Sequence, residues 1–258
     1  MAEPVTEYYD NLSPEYRDNM GWNWEKTMRA EGSTLSRFLE SQIARPGPWD
    51  LLDCSCGIGT QAIGLALQGH RVHATDLSPI SIENAQQEAS RLSATMTFSV
   101  ADYRNLEDSV ADMYDVVLTC DNSIAHCLTD EDLGAALSSM RRRLNPGGVL
   151  IVSLRDYAEL VSEKPRFNNE HVQDKEDGRR IVFQLWDWAS SGDRYHNHQY
   201  LIREFEGGHE VKHFETELRA LLKDEIMTAV SAAGFSETRW HTPEQTGYYQ
   251  PIVTAYKL

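Results

Sequence analysis

The segment from Asp53 to Gly59, Asp-Cys-Ser-Cys-Gly-Ile-Gly, combines an acid, small side chains and two glycines. Gly57 and Gly59 allow the backbone to turn tightly and approach a ligand, because glycine has no side chain. A helix that follows such a turn presents free N–H groups to a carboxylate or phosphate. The phosphate-loop patterns G-x-x-x-x-G-K-[ST] and G-x-G-x-x-G are both absent from this segment. The segment therefore predicts a ligand-binding turn of another kind, although a simple tight turn would also fit it.

Three further acids follow the predicted ends of strands. Asp76 stands 17 residues after Gly59, where an acid of a doubly wound fold accepts hydrogen bonds from ribose hydroxyls. Asp102 and Asp121 follow the next two predicted strands. Ligands of parallel sheets bind beyond the carboxyl ends of the strands, so one ligand could contact all four acids.

A regular alternation of strands and helices is expected to position these acids. Such alternation predicts a parallel sheet with right-handed crossovers and helices on both faces. The predicted strands are residues 49–53, 71–75, 96–100, 114–119, 149–153, 236–241 and 250–257, and the predicted helices are 59–69, 79–92, 130–143 and 220–233. The expected fold class is α/β, with a doubly wound, mostly parallel seven-stranded sheet.

Two segments outside this alternation are expected to cover the sheet. Residues 1–45 predict an N-terminal helical cap with an irregular apolar face. Residues 158–218 predict a small antiparallel β insertion after strand five, and the polar stretch 162–178 within it predicts a mobile loop. The predicted strands of the insertion are 179–190, 195–206 and 209–217. Residues 46–157 and 219–258 would form the ligand-binding core, and the insertion would shape the substrate pocket.

The composition excludes several classes of function. The chain has 258 residues with 40 acids and 24 basic residues, a formal net charge of −16. This balance argues against nucleic acid as a partner, because binding phosphates requires a basic surface. No apolar stretch is long enough for a membrane span, and the acidic N-terminus does not resemble a secretory signal, so the expected location is cytoplasmic. An exposed edge of the insertion could pair with a second subunit, which would give a homo-oligomer.

The cysteines and histidines predict no metal site. Four cysteines stand at positions 54, 56, 120 and 127. Their C-x-C spacing differs from the C-x-x-C of zinc sites, so we interpret them as small buried side chains. Four histidines lie on the predicted strands of the insertion: His196, His198, His209 and His213. Exposed histidines are common on strands, so we do not interpret them as metal ligands.

Residues 49–157 resemble the class I S-adenosylmethionine-dependent methyltransferases, whose first motif has the form D-x-[GAS]-C-G-x-G. Residues 144–148 match the L-x-P-G-G of that family before strand five, and the two closing strands fit its reversed hairpin. The resemblance implies a Rossmann-like methyltransferase fold with S-adenosylmethionine as cofactor and S-adenosylhomocysteine as product. In the family the first motif holds the methionine part, the acid after strand two holds the ribose, and the acid after strand three meets the adenine. Carried over by position, these residues are Asp53, Ser55, Gly57, Gly59, Asp76 and Asp102. The further cofactor-binding candidates are Cys56, Leu77, Tyr103 and Asp121.

Two shorter segments resemble the glycine N-methyltransferases. Residues 120–126 are similar to the G-N-S-F-A-H segment of that family, and residues 153–157 are similar to its D-H-R-N-Y. The arginine of the second segment binds the carboxylate of an amino-acid substrate in that family, and Arg155 stands at its position. Arginine suits this role because its planar fork pairs bidentately with a carboxylate. Pairing of Arg155 with Asp156 or another acid of the chain is the alternative.

Residues outside the cofactor motifs complete the predicted site. Tyr16 and Trp24 could cover the cofactor, and Arg29 could reach its carboxylate, although such aromatic residues are also common in cores. His126 could provide a polar contact or accept a proton near neutral pH. The catalytic candidates are Asn122 and His126, and the further substrate-binding candidates are Tyr157, Tyr248 and Tyr249.

The leading hypothesis is a methyltransferase that N-methylates a small amine or amino acid. O- or S-methylation of another small metabolite is one alternative, and a non-catalytic cofactor-binding module is another. A nicotinamide-dependent dehydrogenase is disfavoured, because the G-x-G-x-x-G pattern is absent.

Overall fold

Two β-sheets, one of seven strands and one of four, form the framework of the protein. The computed structural model describes residues 2–258, with side chains from Pro4 onward. The strands are β1 (Asp50–Asp53), β2 (Arg71–Asp76), β3 (Thr97–Val100), β4 (Tyr114–Thr119), β5 (Leu144–Ser153), β6 (Phe167–Lys175), β7 (Gly178–Trp188), β8 (Arg194–Phe205), β9 (Gly208–Arg219), β10 (Ser236–His241) and β11 (Ile252–Tyr256). The helices are α1 (Ala2–Tyr16), α2 (Trp24–Gln42), α3 (Thr60–Ala66), α4 (Pro79–Arg91), α5 (Asp130–Arg142), α6 (Tyr157–Glu163), α7 (Lys223–Ala232) and α8 (Pro243–Thr246).

The seven-stranded sheet has the order β10-β11-β5-β4-β1-β2-β3. Strands β1 to β5 are parallel, and β11 runs antiparallel to both β5 and β10. Leu51 and Leu52 point to opposite faces: Leu51 shares a buried cluster with residues of α2 and α3, and Leu52 shares one with residues of α5 and α7. Full burial of each leucine contributes about 1.5–3 kcal/mol. The predicted doubly wound α/β fold with a reversed final hairpin is confirmed.

The N-terminal segment contains two helices separated by a short break. Helix α1 ends at Tyr16, and α2 begins after Asn23, whose side chain accepts a hydrogen bond from the Lys26 N–H at 3.0 Å. Such an N-cap satisfies a backbone donor that has no partner within the helix. The predicted helical character of residues 1–45 is therefore confirmed for the described part, although it is interrupted.

Strand β6 shows that the mobile loop predicted at residues 162–178 is wrong. Its residues pair antiparallel with β7, so the insertion sheet has four strands, in the order β6-β7-β8-β9, instead of the predicted three. The strand lies at the edge of its sheet, where polar side chains can remain in solvent. Because backbone hydrogen bonds to β7 hold it in place, polar composition does not prevent this strand from forming.

Helix α1 connects the two sheets. Tyr8 and Leu12 of this helix pack in one buried cluster with Val182 of β7 and Leu201 of β8. The helix also covers the crevice beyond the carboxyl ends of β1 and β4, where the strand order of the larger sheet reverses. No helix formed by residues 2–258 is long and apolar enough to cross a membrane.

Candidate active site

Asp53 and two glycines define the turn after β1. The Asp53 Oδ1 accepts a hydrogen bond from the Ser55 N–H at 3.2 Å, whereas its buried Oδ2 has no hydrogen-bond partner among residues 2–258. Burial raises the pKa of Asp53 to about 7. Gly57 and Gly59 adopt positive φ angles of 54° and 94°, which glycine tolerates without strain. Apart from Gly57 itself and its two chain neighbours, no described residue lies within 4 Å of the place where a Cβ of Gly57 would stand, so the turn leaves space for a ligand.

Asp76, the last residue of β2, holds this turn from the neighbouring strand. Its Oδ2 accepts a hydrogen bond from the Gly57 N–H at 2.8 Å, and its Oδ1 accepts one from the Ser78 N–H at 2.9 Å. Burial raises the pKa of Asp76 above its ordinary value. Each carboxylate oxygen has a second lone pair, so Asp76 could still accept hydrogen bonds from ligand hydroxyls.

A cavity of about 390 Å³, the smaller cavity, opens beside this turn. The predicted residues that line it are Ser55, Asp76, Leu77, Asp102, Tyr103 and His126. The Asp102 carboxylate is paired with the guanidinium of Arg104 at 2.6 Å. Helix α1 forms part of the wall with Pro4, Val5 and Tyr9. The smaller cavity thus has an acid at the end of each of two neighbouring strands.

A second cavity of about 510 Å³, the larger cavity, lies between the two sheets. The predicted residues that line it are Tyr16, Trp24, Asp121, Asn122, His126, Arg155 and Tyr249. Tyr9 and His126 line both cavities, and the Tyr9 hydroxyl lies 3.0 Å from the His126 Nε2. This hydrogen-bonded pair therefore forms a shared wall where the two cavities meet.

Asp121 and Asn122 follow β4 in a strained turn. Both have positive φ angles, 55° and 66°, and each such conformation costs of the order of 1–3 kcal/mol in a residue other than glycine. The Asn122 Oδ1 accepts hydrogen bonds from the Arg155 N–H and the Tyr157 hydroxyl, both at 3.1 Å. Asp121 accepts hydrogen bonds from the hydroxyls of Tyr16 and Tyr249. The turn thus presents one carboxylate to the larger cavity and uses the neighbouring amide to position Arg155.

Arg155 brings a positive charge to the larger cavity without a direct salt-bridge partner among the described side chains. Its Nη1 donates a hydrogen bond to the Tyr195 hydroxyl at 3.0 Å, and its guanidinium carbon lies 5.2 Å from the centre of the Trp186 ring. Arg155 forms no salt bridge with any side chain from Pro4 onward, although the charge of Asp121 acts on it from a distance. The Asp156 carboxylate instead accepts a hydrogen bond from the Ala158 N–H at the start of α6. An enclosed cation without an acidic partner costs free energy unless a ligand compensates it.

Comparison with known proteins assigns a family to the part of the chain that contains the turns at the strand ends. The family model described as a methyltransferase domain matches residues 51–148. Residues 51–148 form a methyltransferase domain. The chain is also 28% identical over 158 residues, 59% of its length, to a glycine/sarcosine N-methyltransferase of Parasynechococcus marenigrum (strain WH8102), with 55% of that protein covered. The chain spans less than two thirds of the length of the first curated relatives that it matches.

Solved structures show the same fold around this methyltransferase domain. The CcbJ methyltransferase from Streptomyces caelestis is similar over 98% of both chains, with a TM-score of 0.78 and 18% identity. The S-adenosylmethionine-bound amino pentose methyltransferase CalS10 from Micromonospora echinaspora is similar over 92% of this chain and 93% of its own, with a TM-score of 0.74 and 18% identity. The prediction of a class I S-adenosylmethionine-dependent methyltransferase is thus confirmed at the level of family and fold.

His126 is a weak base at the wall between the two cavities. Burial, followed by the positive charge of Arg155, lowers the pKa of His126 to about 4. The imidazole is therefore neutral near pH 7 and has little tendency to take a proton there. This electrostatic setting favours a polar contact over a proton acceptor, the two roles that the sequence predicts for His126.

Arg29 lies away from both cavities. Its side chain is half exposed and its guanidinium pairs with Glu25, one turn earlier on α2, at 2.8 Å. The buried face of α2 includes Trp24, Met28 and Leu35, and position 29 falls on the opposite face of the helix. The predicted contact of Arg29 with the cofactor carboxylate has no counterpart in this arrangement.

Two predicted substrate-binding tyrosines lie behind the larger cavity rather than in its wall. Tyr157 is 1% exposed, and its hydroxyl contacts Asn122 and the Tyr195 hydroxyl. Tyr248 is also 1% exposed, and its hydroxyl accepts a hydrogen bond from Gln61 at 3.0 Å. Both side chains support residues that line the larger cavity.

Cys56, a predicted cofactor-binding residue, is also buried, with its thiol 3.4 Å from the carbonyl oxygen of Gly57.

Several polar residues of the larger cavity were not predicted. Glu31 accepts a hydrogen bond from Gln61 at 2.6 Å, and burial, followed by the charge of Asp121, raises the pKa of Glu31 to about 7. Asn197 and Gln199 of β8 also line the cavity although they are almost fully buried. Their spacing of two residues on a strand and the position of Glu31 one turn before Leu35 are the signals that could have identified them.

Proposed function

We propose that the protein transfers a methyl group from S-adenosylmethionine to the nitrogen of a small amine or amino acid whose carboxylate is bound by Arg155. The turn from Asp53 to Gly59 would hold the methionine part of the cofactor, Asp76 the ribose and Asp102 the adenine. Two observations fit the cofactor: the open space beside Gly57 and the buried Asp53 Oδ2 without a partner in residues 2–258. When bound, the cofactor supplies a methyl group already activated by its sulfonium.

The charge pattern of the larger cavity carries the proposal for the acceptor. Asp121 and Arg155 line the same cavity, and Arg155 has no acidic partner among the described residues. A molecule with a carboxylate and an amine matches this pair, with its carboxylate at Arg155 and its nitrogen towards Asp121. Arg155 and Asp121 would orient the nitrogen, while α1 would limit the access of water. Orientation and exclusion of water are the main requirements for transfer of an activated methyl group.

The relatives support methylation of nitrogen. The glycine/sarcosine N-methyltransferase named above is identical to this chain at 28% of the aligned positions. The amino pentose methyltransferase has the same fold as this chain. These likenesses are low in identity, so the acceptor rests on Arg155 and Asp121. The cytoplasmic location, the homo-oligomer, the helical cap at residues 1–45 and the pocket-shaping role of residues 158–218 stay predictions.

An amino sugar is a second candidate acceptor. Gln184, Asn197 and Gln199 line the larger cavity, and the Asn197 Oδ1 is buried without a hydrogen-bond partner among residues 2–258. Side-chain amides both donate and accept hydrogen bonds, which suits a ligand with several hydroxyl groups. An amino sugar would bind without a carboxylate, whereas the first candidate requires one, and this difference distinguishes the two.

A product screen tests the proposal. The purified protein would be incubated with methyl-labelled S-adenosylmethionine and matched amines, amino acids, amino sugars, alcohols and thiols, and the labelled atom would be located by NMR. We expect the label on nitrogen. Label on oxygen or sulfur would contradict the proposal, and cofactor binding by calorimetry without turnover on any acceptor would favour the non-catalytic module. Binding of a nicotinamide cofactor instead would contradict the cofactor assignment.

A further inference from the structure

Two histidines and a glutamate meet on the outer face of the four-stranded sheet, the face opposite to Asn197 and Gln199. His198 lies on β8 directly across from Glu215 on β9. His213 lies two residues before Glu215 on β9, so that all three side chains point to the same side of the sheet. One ligand atom from each residue lies within 4.8 Å of the other two.

Two of the three distances within this cluster are close to the edge length of a metal coordination shell. The His198 Nδ1 lies 3.1 Å from the His213 Nε2 and 3.4 Å from the Glu215 Oε2. A tetrahedral ion with ligand bonds of about 2.0–2.1 Å has ligand atoms separated by about 3.3 Å. A small movement of the side chains would therefore allow one ion to contact all three atoms.

Asp187 provides the outer support that is typical of a histidine ligand. Its Oδ2 lies 3.4 Å from the His198 Nε2, the ring nitrogen on the side away from the cluster. A carboxylate at this nitrogen favours the tautomer with the proton on Nε2 and leaves the Nδ1 lone pair free for a metal ion. Asp187 is itself paired with Arg166 at 2.9 Å, so Glu215 supplies the negative charge of the cluster that suits a cation.

Ring contacts hold the second histidine in place. The His213 ring stacks on Tyr200, with ring centres 4.6 Å apart, and on His198, with centres 5.3 Å apart. A hydrogen bond between the two imidazoles accounts for their nitrogen contact alone. In addition, a carboxylate lies beside each ring nitrogen of His198.

We propose that His198, His213 and Glu215 bind a divalent transition-metal ion of the zinc or cobalt type. Two imidazoles and one carboxylate suit these ions, and three protein ligands leave a fourth position for water or for a group from another molecule. The ion would link β8 to β9. Because Glu215 also lines the smaller cavity, the site lies at the rim of that cavity.

Metal titration of the full chain tests this site without the proposed methyltransferase activity. The tag-free protein would be treated with a chelator, dialysed and titrated calorimetrically with Zn²⁺, in the absence of cofactor and acceptor. Titration with Co²⁺ would report the ligand types by visible absorption. We expect one ion per chain and a cobalt spectrum of nitrogen and oxygen ligands without thiolate bands.

Variants of the cluster identify the ligands. His198→Ala and His213→Ala should each abolish the calorimetric binding, Glu215→Gln should weaken it, and Asp187→Asn should weaken it by about tenfold to a hundredfold. His209→Ala is the matched control, because His209 is an exposed histidine on β9, the strand of His213 and Glu215. The His209→Ala chain should bind Zn²⁺ as the unaltered chain does. Circular dichroism would check the fold of each variant.

Three outcomes would overturn the assignment. One is that the unaltered chain does not bind Zn²⁺ or Co²⁺. Another is full binding by folded His198→Ala and His213→Ala chains, and the third is a thiolate band that points to the cysteines. Each of these results concerns the metal site only and leaves the proposed methyl transfer untouched.

Discussion

Arg155 is the residue that links the methyltransferase domain to a class of acceptor. The cofactor motifs define where the methyl donor would bind, but they are common to acceptors of many kinds. Arg155 differs because its guanidinium faces the larger cavity and has no acidic partner within residues 2–258, whereas Asp156 caps α6. Its neighbours Tyr195 and Trp186 fix its position. Asp156 therefore does not pair with Arg155, and the proposal assigns this position to the carboxylate of the acceptor.

Replacing Arg155 tests this role. We expect Arg155→Ala to raise the KM for the acceptor roughly tenfold to a hundredfold, because a charged hydrogen-bonded contact contributes about 1.5–3 kcal/mol. Arg155→Lys should restore little of the loss, since lysine cannot pair bidentately. Steady-state kinetics would give the KM, and calorimetry should show unchanged affinity for S-adenosylhomocysteine. Arg239→Ala, an exposed arginine paired with Glu237, is the control. Loss of cofactor affinity in Arg155→Ala would remove the assignment.

Glu31 makes a prediction about stability and pH. Its pKa rises from 4.5 to about 7 in the folded chain, so the folded chain binds the Glu31 proton more tightly than the unfolded chain does. The stability from this proton is present below pH 4.5 and is lost as the pH rises through about 7. Glu31→Gln should remove this part of the pH dependence. The free energy of unfolding of the variant, minus that of the unaltered chain, should therefore be larger at pH 8 than at pH 4, which means that the variant is relatively more stable at pH 8.

Urea unfolding of the cofactor-free protein at several pH values would measure this difference. Glu83→Gln, a substitution at an exposed position of α4, provides the control for the loss of an acid. An equal difference between Glu31→Gln and the unaltered chain at every pH would contradict the account, because it would show that the Glu31 proton has the same affinity in both states.

At the scale of elements, close contact between α2 and α3 positions the turn after β1, from Asp53 to Gly59. A Cβ on Gly32 would collide with the backbone of Gly64, and a Cβ on Gly64 would lie 2.5 Å from the Met28 carbonyl oxygen. The two helices therefore approach through their backbones. Trp24 of α2 reaches Thr60 at the start of α3 with a hydrogen bond of 2.9 Å, so this packing joins the N-terminal helices to the turn after β1.

Gly32→Ala should lower the free energy of unfolding by about 1–3 kcal/mol, because overpacking forces the backbones apart. Gly134→Ala is the matched control: Gly134 also lies within a helix, α5, but no described atom lies within 4 Å of its added Cβ. There alanine should stabilise the chain by about 0.5–1 kcal/mol. Thermal or urea unfolding would measure both, and an equal effect of the two substitutions would contradict a specific contact between α2 and α3.

Local patterns predicted most elements but not their surroundings. The parallel strands were predictable because continuous apolar residues such as Leu51 and Leu52 end at acids and glycines. Strand β6 was not, because an edge strand depends on backbone pairing rather than on composition. The position of Arg29 outside both cavities was not predictable, because its orientation relative to the buried residues of α2 depends on packing against α3. Asp76 and Asp102 were predictable because parallel strands bring their ends to one edge.

At the scale of the whole molecule, the two sheets and α1 enclose two adjoining cavities that share lining residues. The larger sheet supplies the strand-end acids, and the four-stranded sheet supplies the amides Gln184, Asn197 and Gln199. The boundary between the cavities is the Tyr9–His126 pair. A donor in the smaller cavity and an acceptor in the larger one would therefore meet at this boundary, and this arrangement requires both sheets together.

The most direct test of the account compares two acceptors that differ only in their charge. The amino acid that the chain methylates best would be compared with its carboxamide, and transfer from methyl-labelled S-adenosylmethionine would be followed by mass spectrometry and NMR. The account predicts N-methylation of the amino acid and a loss of roughly tenfold or more in kcat/KM with the amide, because the amide cannot form the charged pair with Arg155. Equal rates for the two acceptors, or label on an atom other than nitrogen, would contradict it.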